Sequence, residues 1–138
     1  MKRLRRAVRF EEVDAAGIVF FARYLGYCHE GMEDFFAELP GGYAGLIMGE
    51  GVGFPAVHTK CDYLGPLRYG DVFYIETSID RVGTTSCTFR YRLVKEDGAR
   101  VADAEHVCVH ARLHVLEKIS FSPAMRELFS RHRTGPAL

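Results

Sequence analysis

Apolar side chains recur at Tyr24, Leu25, Cys28, Met32, Phe35, Phe36 and Leu39, in steps of three and four that put them on one face of a helix. The opposite face carries Glu30, Glu33, Asp34 and Glu38, and Pro40-Gly41-Gly42 stops the run. About sixteen residues at 1.5 Å each predict a helix near 25 Å long, enough to cross a sheet. Gly26 and Gly31 each cost that helix about 1 kcal/mol against alanine, which predicts close packing against backbone at both. Elsewhere the period is two. Leu4, Val8 and Phe10 alternate with Arg3, Arg5 and Arg9, the pattern of a half-buried strand with a solvated basic face. Residues 54–63, 71–82, 84–96 and 99–117 are rich in Val, Ile, Thr, Phe and Tyr and predict four more strands. Turn signals separate them at Gly65-Pro66, Gly83 and Asp97-Gly98, the last a hairpin dipeptide. In the final strand Val107, Val109, Ala111, Leu113 and Val115 share one face and His106, Cys108, His110, Arg112 and His114 the other. The six glycines between Gly41 and Gly53 predict a mobile loop. Ser122-Pro123 supplies an N-cap and first-turn proline for a short terminal helix with Met125, Leu128 and Phe129 inward.

One strand, one long helix and four strands is an α+β order, satisfied by a single sheet with the helix across one face. A five-stranded antiparallel sheet wrapped around one long central helix is the hot dog fold, here with a short C-terminal helix added. Residues 1–132 form the expected single domain and 133–138 a frayed tail. The 138-residue length and a composition 48% apolar and 26% charged agree with one soluble domain. Eighteen Lys and Arg balance eighteen Asp and Glu, so the chain has no overall electrostatic footprint for nucleic acid or anionic membrane. Near-zero net charge also removes a barrier to self-association. No stretch approaches the eighteen or so consecutive apolar residues of a membrane helix. The basic start Met1 to Phe10 lacks the apolar core of a signal peptide. Cys28, Cys61, Cys87 and Cys108 are scattered without a disulfide framework, so free thiols and a cytoplasmic location are expected.

Most chemical motifs fail on geometry. Gly49-Glu50-Gly51-Val52-Gly53 precedes a strand containing Pro55 instead of opening a helix, which a phosphate-cradling loop requires. His106 and His110, or His110 and His114, lie about 13 Å apart on a strand, too far to share an ion. They are assigned to the outer face, at a subunit interface, and no metal or cofactor is expected. His58 and Cys61 lie on opposite strand faces, and nothing selects a Cys/His nucleophile pair. Asp14 differs. It is a lone carboxylate in the turn Asp14-Ala15-Ala16-Gly17-Ile18-Val19-Phe20-Phe21, which leads directly into the long helix. A turn aspartate ordinarily caps its own backbone. Here Ile18 to Phe21 would also desolvate the acid and push it toward the range of a base, and the helix start offers unpaired N–H groups for an oxyanion.

The run Val13-Asp14-Ala15-Ala16-Gly17-Ile18-Val19-Phe20-Phe21-Ala22-Arg23-Tyr24 resembles the signature of the 4-hydroxybenzoyl-CoA thioesterase family of hot dog proteins. Tyr63-Leu64-Gly65-Pro66-Leu67-Arg68-Tyr69-Gly70-Asp71 is similar to that family's strand connection, and the resemblance spans about 5–116. It implies hydrolysis of an acyl-CoA thioester, of short-chain or aromatic acyl groups, in a homodimer or homotetramer. By position, Asp14 is the implied nucleophile or general base, and the Phe21 backbone N–H polarises the thioester carbonyl. The implied substrate contacts are Gly17, Ile18 and Val19 in the turn, His29 on the helix, Tyr43 in the glycine loop and Arg81. The chain departs from the family in two places. The subgroup associated with the Tol-Pal envelope system has a histidine seven residues after the aspartate, where this chain has Phe21. The basic cluster expected after the third strand is replaced by Gly83-Thr84-Thr85, leaving Arg81 the nearest cation for CoA phosphates. That gap keeps a second reading open, a thioesterase for acyl chains on an acyl carrier protein, and a third, a non-catalytic acyl-binding module in which Asp14 is only a cap. A hot dog dehydratase is disfavoured because no histidine accompanies Asp14.

Overall fold

The computed structural model describes residues 1–134 of the chain. A five-stranded antiparallel sheet has the order β1-β4-β5-β6-β3, built from β1 (Lys2–Ala7), β3 (Ala56–Tyr63), β4 (Val72–Val82), β5 (Ser86–Lys95) and β6 (Arg100–Val109). Helix α1 (Arg23–Phe36) lies across its inner face, contacting β1, β4 and β5. The expected α+β architecture is therefore observed, a hot dog sheet around one long helix. Tyr24, Cys28, Met32, Phe35 and Phe36 of the predicted apolar stripe are buried, whereas Leu25 is exposed and Tyr27, not in that stripe, is buried in its place. Helix α3 (Pro123–Arg131) closes one end, with Ser122 Oγ accepting from the Met125 N–H at 3.2 Å and Met125, Leu128 and Phe129 buried. The Asp97-Gly98 turn also forms as predicted, with Gly98 at φ +91° and Asp97 Oδ1 accepting from the Ala99 N–H at 2.8 Å.

Several expectations are corrected. Helix α1 ends at Phe36, three residues before Leu39, because Pro40 excludes helical backbone at the residue before it and cannot itself donate. The glycine-rich segment after it is ordered as a short helix α2 (Gly42–Ala44), a π-helix (Gly45–Glu50) and strand β2 (Val52–Gly53). Its glycines serve specific conformations, Gly41 and Gly51 standing at φ +79° and +67°. The last strand does not run to Glu117. It breaks at His110, whose N–H donates to Thr85 O at 2.7 Å, and β7 (Ala111–Arg112) then leaves to pair with β2 and β8 (Glu117–Lys118) in a second, three-stranded sheet. Tail residues Arg133 and Thr134 are paired: the Thr134 N–H donates to Ile79 O at 2.8 Å, and Arg133 bridges Ile79. The rest of the expected frayed tail lies outside the described residues.

The histidine face of β6 is the inner one. Register pairs His106 with Phe89, Cys108 with Cys87 and Ala104 with Tyr91, and all of those partners are buried in the core. His110 is itself buried, stacked between Phe54 and Phe121 at 5.2 Å from each. Alternation of valines with histidines fixes the period of this strand but not its parity; Ala102 and Ala104, on the histidine face, are buried as well. Of the three histidines only His114 is exposed.

The two helix glycines separate cleanly. A Cβ on Gly31 would lie 2.5 Å from Thr77 Oγ1 and 2.7 Å from Ile75 Cγ2, so α1 and β4 approach closely here, whereas a Cβ on Gly26 would meet nothing within 4 Å. Gly31→Ala is expected to cost about 1–3 kcal/mol by overpacking. Gly26→Ala is expected to add roughly 0.5–1 kcal/mol by restoring helix propensity. Thermal melts of the two variants against wild type check the pair.

Candidate active site

Asp14 sits at the tip of a tight loop between β1 and α1. A one-turn 3₁₀ segment (Phe10–Glu12) leads in, and Val13 then bridges Val19 across the loop. Inside that bridge the Asp14 N–H donates to Ile18 O, and the Gly17 N–H to Asp14 O, both at 2.9 Å. Gly17 takes φ +79°, a conformation that favours glycine. Asp14 Oδ1 accepts from the Ala16 N–H at 2.8 Å, so the capping role is real. It uses one carboxylate oxygen only; Oδ2 has no partner among the described residues. The side chain is exposed, so the desolvation expected from Ile18 to Phe21 is not supplied by its own chain. Those side chains turn instead to two tasks: Val19 is buried, and Phe20 and Phe21 stand 46% and 62% exposed.

The next N–H groups are apportioned in a definite way. Val19 N–H donates to Leu67 O at 2.8 Å, and Phe20 N–H to Glu12 O at 3.0 Å. The Phe21 N–H has no acceptor among the described residues. It lies in the turn two residues ahead of Arg23, where α1 begins, close to the positive end of the helix dipole.

Asp14 and Phe21 line one open cleft of about 540 Å³, together with Ile18, Val19, Tyr24, Tyr63 and the Leu64-Gly65-Pro66 turn. The two sequence motifs are thus brought together in space. The bridge between Ile18 and Arg68 and the Val19 to Leu67 bond stitch one to the other. Tyr63 is a site residue that the sequence reading misses. Its hydroxyl donates to Phe21 O at 2.9 Å, and its ring packs edge-on against Tyr24 at 5.0 Å. Partial burial and the neighbouring Cys61 thiol push the phenol up to about 12, so it stays a donor at neutral pH. Tyr63→Phe is expected to lower kcat/KM about tenfold, with a stability loss near 1 kcal/mol, by freeing the peptide between Phe21 and Ala22. Steady-state rates and a thermal melt check both parts.

Other candidates lie elsewhere. His29 is exposed on α1, its Nε2 3.3 Å from Glu33 Oε1 and its ring edge-on to Tyr43 at 5.7 Å. Tyr43 and Glu33 border a separate cavity of about 450 Å³ with Ile47 and Met48 of the π-helix. Glu33 is nine residues along α1 from Tyr24, about 13 Å by helical rise. Arg81 is exposed at a bulge near the end of β4, nine residues or about 30 Å of strand from Val72, where β4 leaves the cleft side. Within one chain, His29, Tyr43 and Arg81 therefore do not join Asp14. Gly17 shapes the loop without lining the cleft.

The four cysteines are free, and burial pushes Cys108 up to about 11, far from a thiolate at neutral pH. No group of His, Cys, Asp and Glu with metal-binding geometry occurs among the described residues, and no helix there is long and apolar enough to cross a membrane.

Residues 8–129 match the family model described as the thioesterase-like superfamily. The chain is 35% identical over 107 residues to a 1,4-dihydroxy-2-naphthoyl-CoA hydrolase of Nostoc punctiforme, covering 77% of this chain and 72% of the relative. It is 31% identical over 120 residues to one of Trichodesmium erythraeum, covering 84% and 87%. Among solved structures, a gentisyl-coenzyme A thioesterase superposes with a TM-score of 0.82 at 28% identity, over 93% of this chain and 99% of that one.

Proposed function

The chain belongs to the thioesterase-like superfamily, and from that premise we propose that it hydrolyses the thioester of an acyl-CoA at the Asp14 cleft. The observation that carries this reading is the pairing of an uncommitted carboxylate oxygen with an uncommitted backbone N–H in one apolar cleft. The thioester carbonyl oxygen takes the Phe21 N–H, which polarises it and stabilises the charge that develops there. Asp14 then either accepts a proton from water as its oxygen bonds to the carbonyl carbon, or attacks that carbon itself to give an anhydride that water opens. In both routes the carbon–sulfur bond breaks with its electron pair on sulfur. A thiol has an ordinary pKa near 8.5, so the thiolate leaves without a dedicated acid.

The acyl group we propose is aromatic. Phe21, Tyr24 and Tyr63 give the cleft ring-lined walls. The similar proteins named above act on CoA esters of hydroxylated aromatic acids, which supports the same class here. The 4-hydroxybenzoyl-type assignment is one member of that class. His29 and Tyr43, in edge-on contact with each other, stand apart from their own chain's cleft, and they serve in this proposal as polar contacts to an acyl group held at a second copy's Asp14. Edge strand β3 offers the surface for that copy. Seven of its eight residues are exposed, Val57 at 64% among them. A homodimer, or a homotetramer built from two, follows. Free cysteines suit a cytoplasmic setting.

The test is a panel: thiol release from hydroxybenzoyl-, hydroxynaphthoyl-, benzoyl-, short-chain and long-chain acyl-CoA, with one acyl group also offered on an acyl carrier protein. Highest kcat/KM on an aromatic acyl-CoA is expected. Preference for the carrier protein, or for an aliphatic chain, would replace the proposed substrate.

A further inference from the structure

Beneath the loop lies a buried carboxylate that the reaction scheme does not use. Glu12 is 5% exposed and accepts four hydrogen bonds: from Arg6 Nη1 at 2.9 Å and Nη2 at 2.6 Å, from the Arg9 N–H at 2.8 Å and from the Tyr27 hydroxyl at 3.0 Å. Arg6 extends the network to Glu30 of α1, with Nε donating at 2.9 Å, and its guanidinium lies 5.0 Å over the Tyr27 ring. One side chain thus ties β1, the 3₁₀ turn and the second turn of α1 to a single point. The same residue's backbone carbonyl takes the Phe20 N–H. Glu12 is consequently fixed from both ends, and what it fixes is the boundary between the N–H that the fold consumes, Phe20, and the first N–H without an acceptor among the described residues, Phe21, which Ala22 follows. It also stands two residues before Asp14, just outside the Val13–Val19 bridge that closes the loop.

We propose that Glu12, held by Arg6 and Tyr27, is the positioning residue of this site: it sets the loop carrying Asp14 and the turn carrying the Phe21 N–H in mutual register. The inference rests on the assignment of Asp14 and Phe21 above. Glu12 touches no substrate; it acts through its backbone carbonyl and through the strand-to-helix tether. An error of 1 Å between a reacting group and an oxyanion donor is enough to cost about a hundredfold in rate. A carboxylate that is merely structural would show itself in stability and not in that error.

The experiment compares full-length wild type, Glu12→Gln, Tyr27→Phe and Asp14→Asn. It reads kcat and KM on the preferred acyl-CoA of the panel, and amide hydrogen exchange residue by residue. Glutamine keeps the length of Glu12 and one acceptor oxygen but turns an N–H₂ group toward Arg6. In Glu12→Gln, kcat is expected to fall about a hundredfold with KM within about twofold. Exchange is expected to quicken at least tenfold at Phe20 and across 13–22, with β4 and β5 amides unchanged. Tyr27→Phe is expected to show the same pattern at smaller amplitude. Unchanged exchange in 13–22, or acceleration spread evenly over the sheet, overturns the positioning role whether or not a rate is measured. Wild-type turnover in Glu12→Gln beside an inactive Asp14→Asn overturns it alone. An active Asp14→Asn beside the local exchange change overturns the assignment of Asp14 and leaves Glu12 as the anchor of the loop.

Discussion

Asp14→Asn is expected to lower kcat by on the order of 10³ while leaving the fold within about 0.5 kcal/mol of wild type. The two halves of that expectation come from the two oxygens of one side chain. The substituted side chain can still accept the Ala16 N–H through its one remaining oxygen, so the Asx turn and the Gly17 conformation that depends on it survive. The second position becomes an amide nitrogen, which is no nucleophile toward a thioester and takes no proton from water at neutral pH. Because the side chain is exposed, the exchange of a charge for a dipole costs the folded state little. Residual turnover then measures what the Phe21 N–H and the cleft contribute by themselves. Far-ultraviolet circular dichroism, a thermal melt and thiol release on one preparation read both halves together. A variant that melts as wild type and hydrolyses as wild type would remove Asp14 from the chemistry and return it to capping.

The second large effect concerns stability. Arg6→Met is expected to cost about 3 kcal/mol, roughly 10 °C in melting temperature, because it leaves a buried carboxylate without its counter-ion. Methionine keeps an aliphatic stem of similar reach but gives up the guanidinium that lies over Tyr27, so the loss reports charge, hydrogen bonds and that cation–π contact more than volume. The effect carries a definite pH dependence. Burial by itself would push Glu12 up, yet the Arg6 guanidinium, the Arg9 N–H and the Tyr27 hydroxyl bring it below the ordinary carboxylate value. A carboxyl depressed in the folded state contributes stability that is fully present above its unfolded value, about 4.3, and is lost as pH falls through the folded value. Without Arg6 the depression disappears and burial dominates, so the variant sheds its penalty on protonation. The gap between wild type and Arg6→Met should be widest near neutrality and should narrow as pH falls, first through the raised Glu12 value of the variant and then, below about 4.3, through the depressed value of wild type. Urea unfolding of both proteins across that range measures it, and a gap independent of pH would contradict this account of the network.

How much of this is legible in the sequence depends on the kind of signal. The long helix is legible because Tyr24, Cys28, Met32, Phe35 and Phe36 repeat at helical spacing and must be buried together. The five strands follow from period two and from turn dipeptides whose chemistry is local. Parity is not legible. Whether the valines or the histidines of β6 face the helix is settled across the sheet, by Phe89 and Cys87 on the next strand, and no local pattern contains that information. Composition predicts a mobile loop in the glycine-rich segment because it reports the freedom of the unfolded chain. In the folded chain the π-helix at 45–50 buries Leu46 in the core, a long-range contact that composition does not report. At the site, a family motif points to Asp14 and Phe21, and geometry then locates their unused groups. Glu12 and Arg6 leave no local signal because their partners, Tyr27 and Glu30, lie fifteen to twenty-four residues away in the chain. The basic alternation of β1 makes Arg6 look like one more solvated arginine, although its even position shares the inward parity of Leu4. Arg81 fails for the converse reason, since closeness to a motif in sequence becomes about 30 Å of strand in space.

Catalysis itself is the central claim, and release of free CoA from a hydroxylated aroyl-CoA by the wild-type protein tests it most directly. Multiple turnovers per protomer, saturable in substrate and lost in Asp14→Asn, are the predicted result. Tight, stoichiometric binding of the same thioesters with no thiol released would contradict it and would make the Asp14 cleft an acyl-binding site without chemistry.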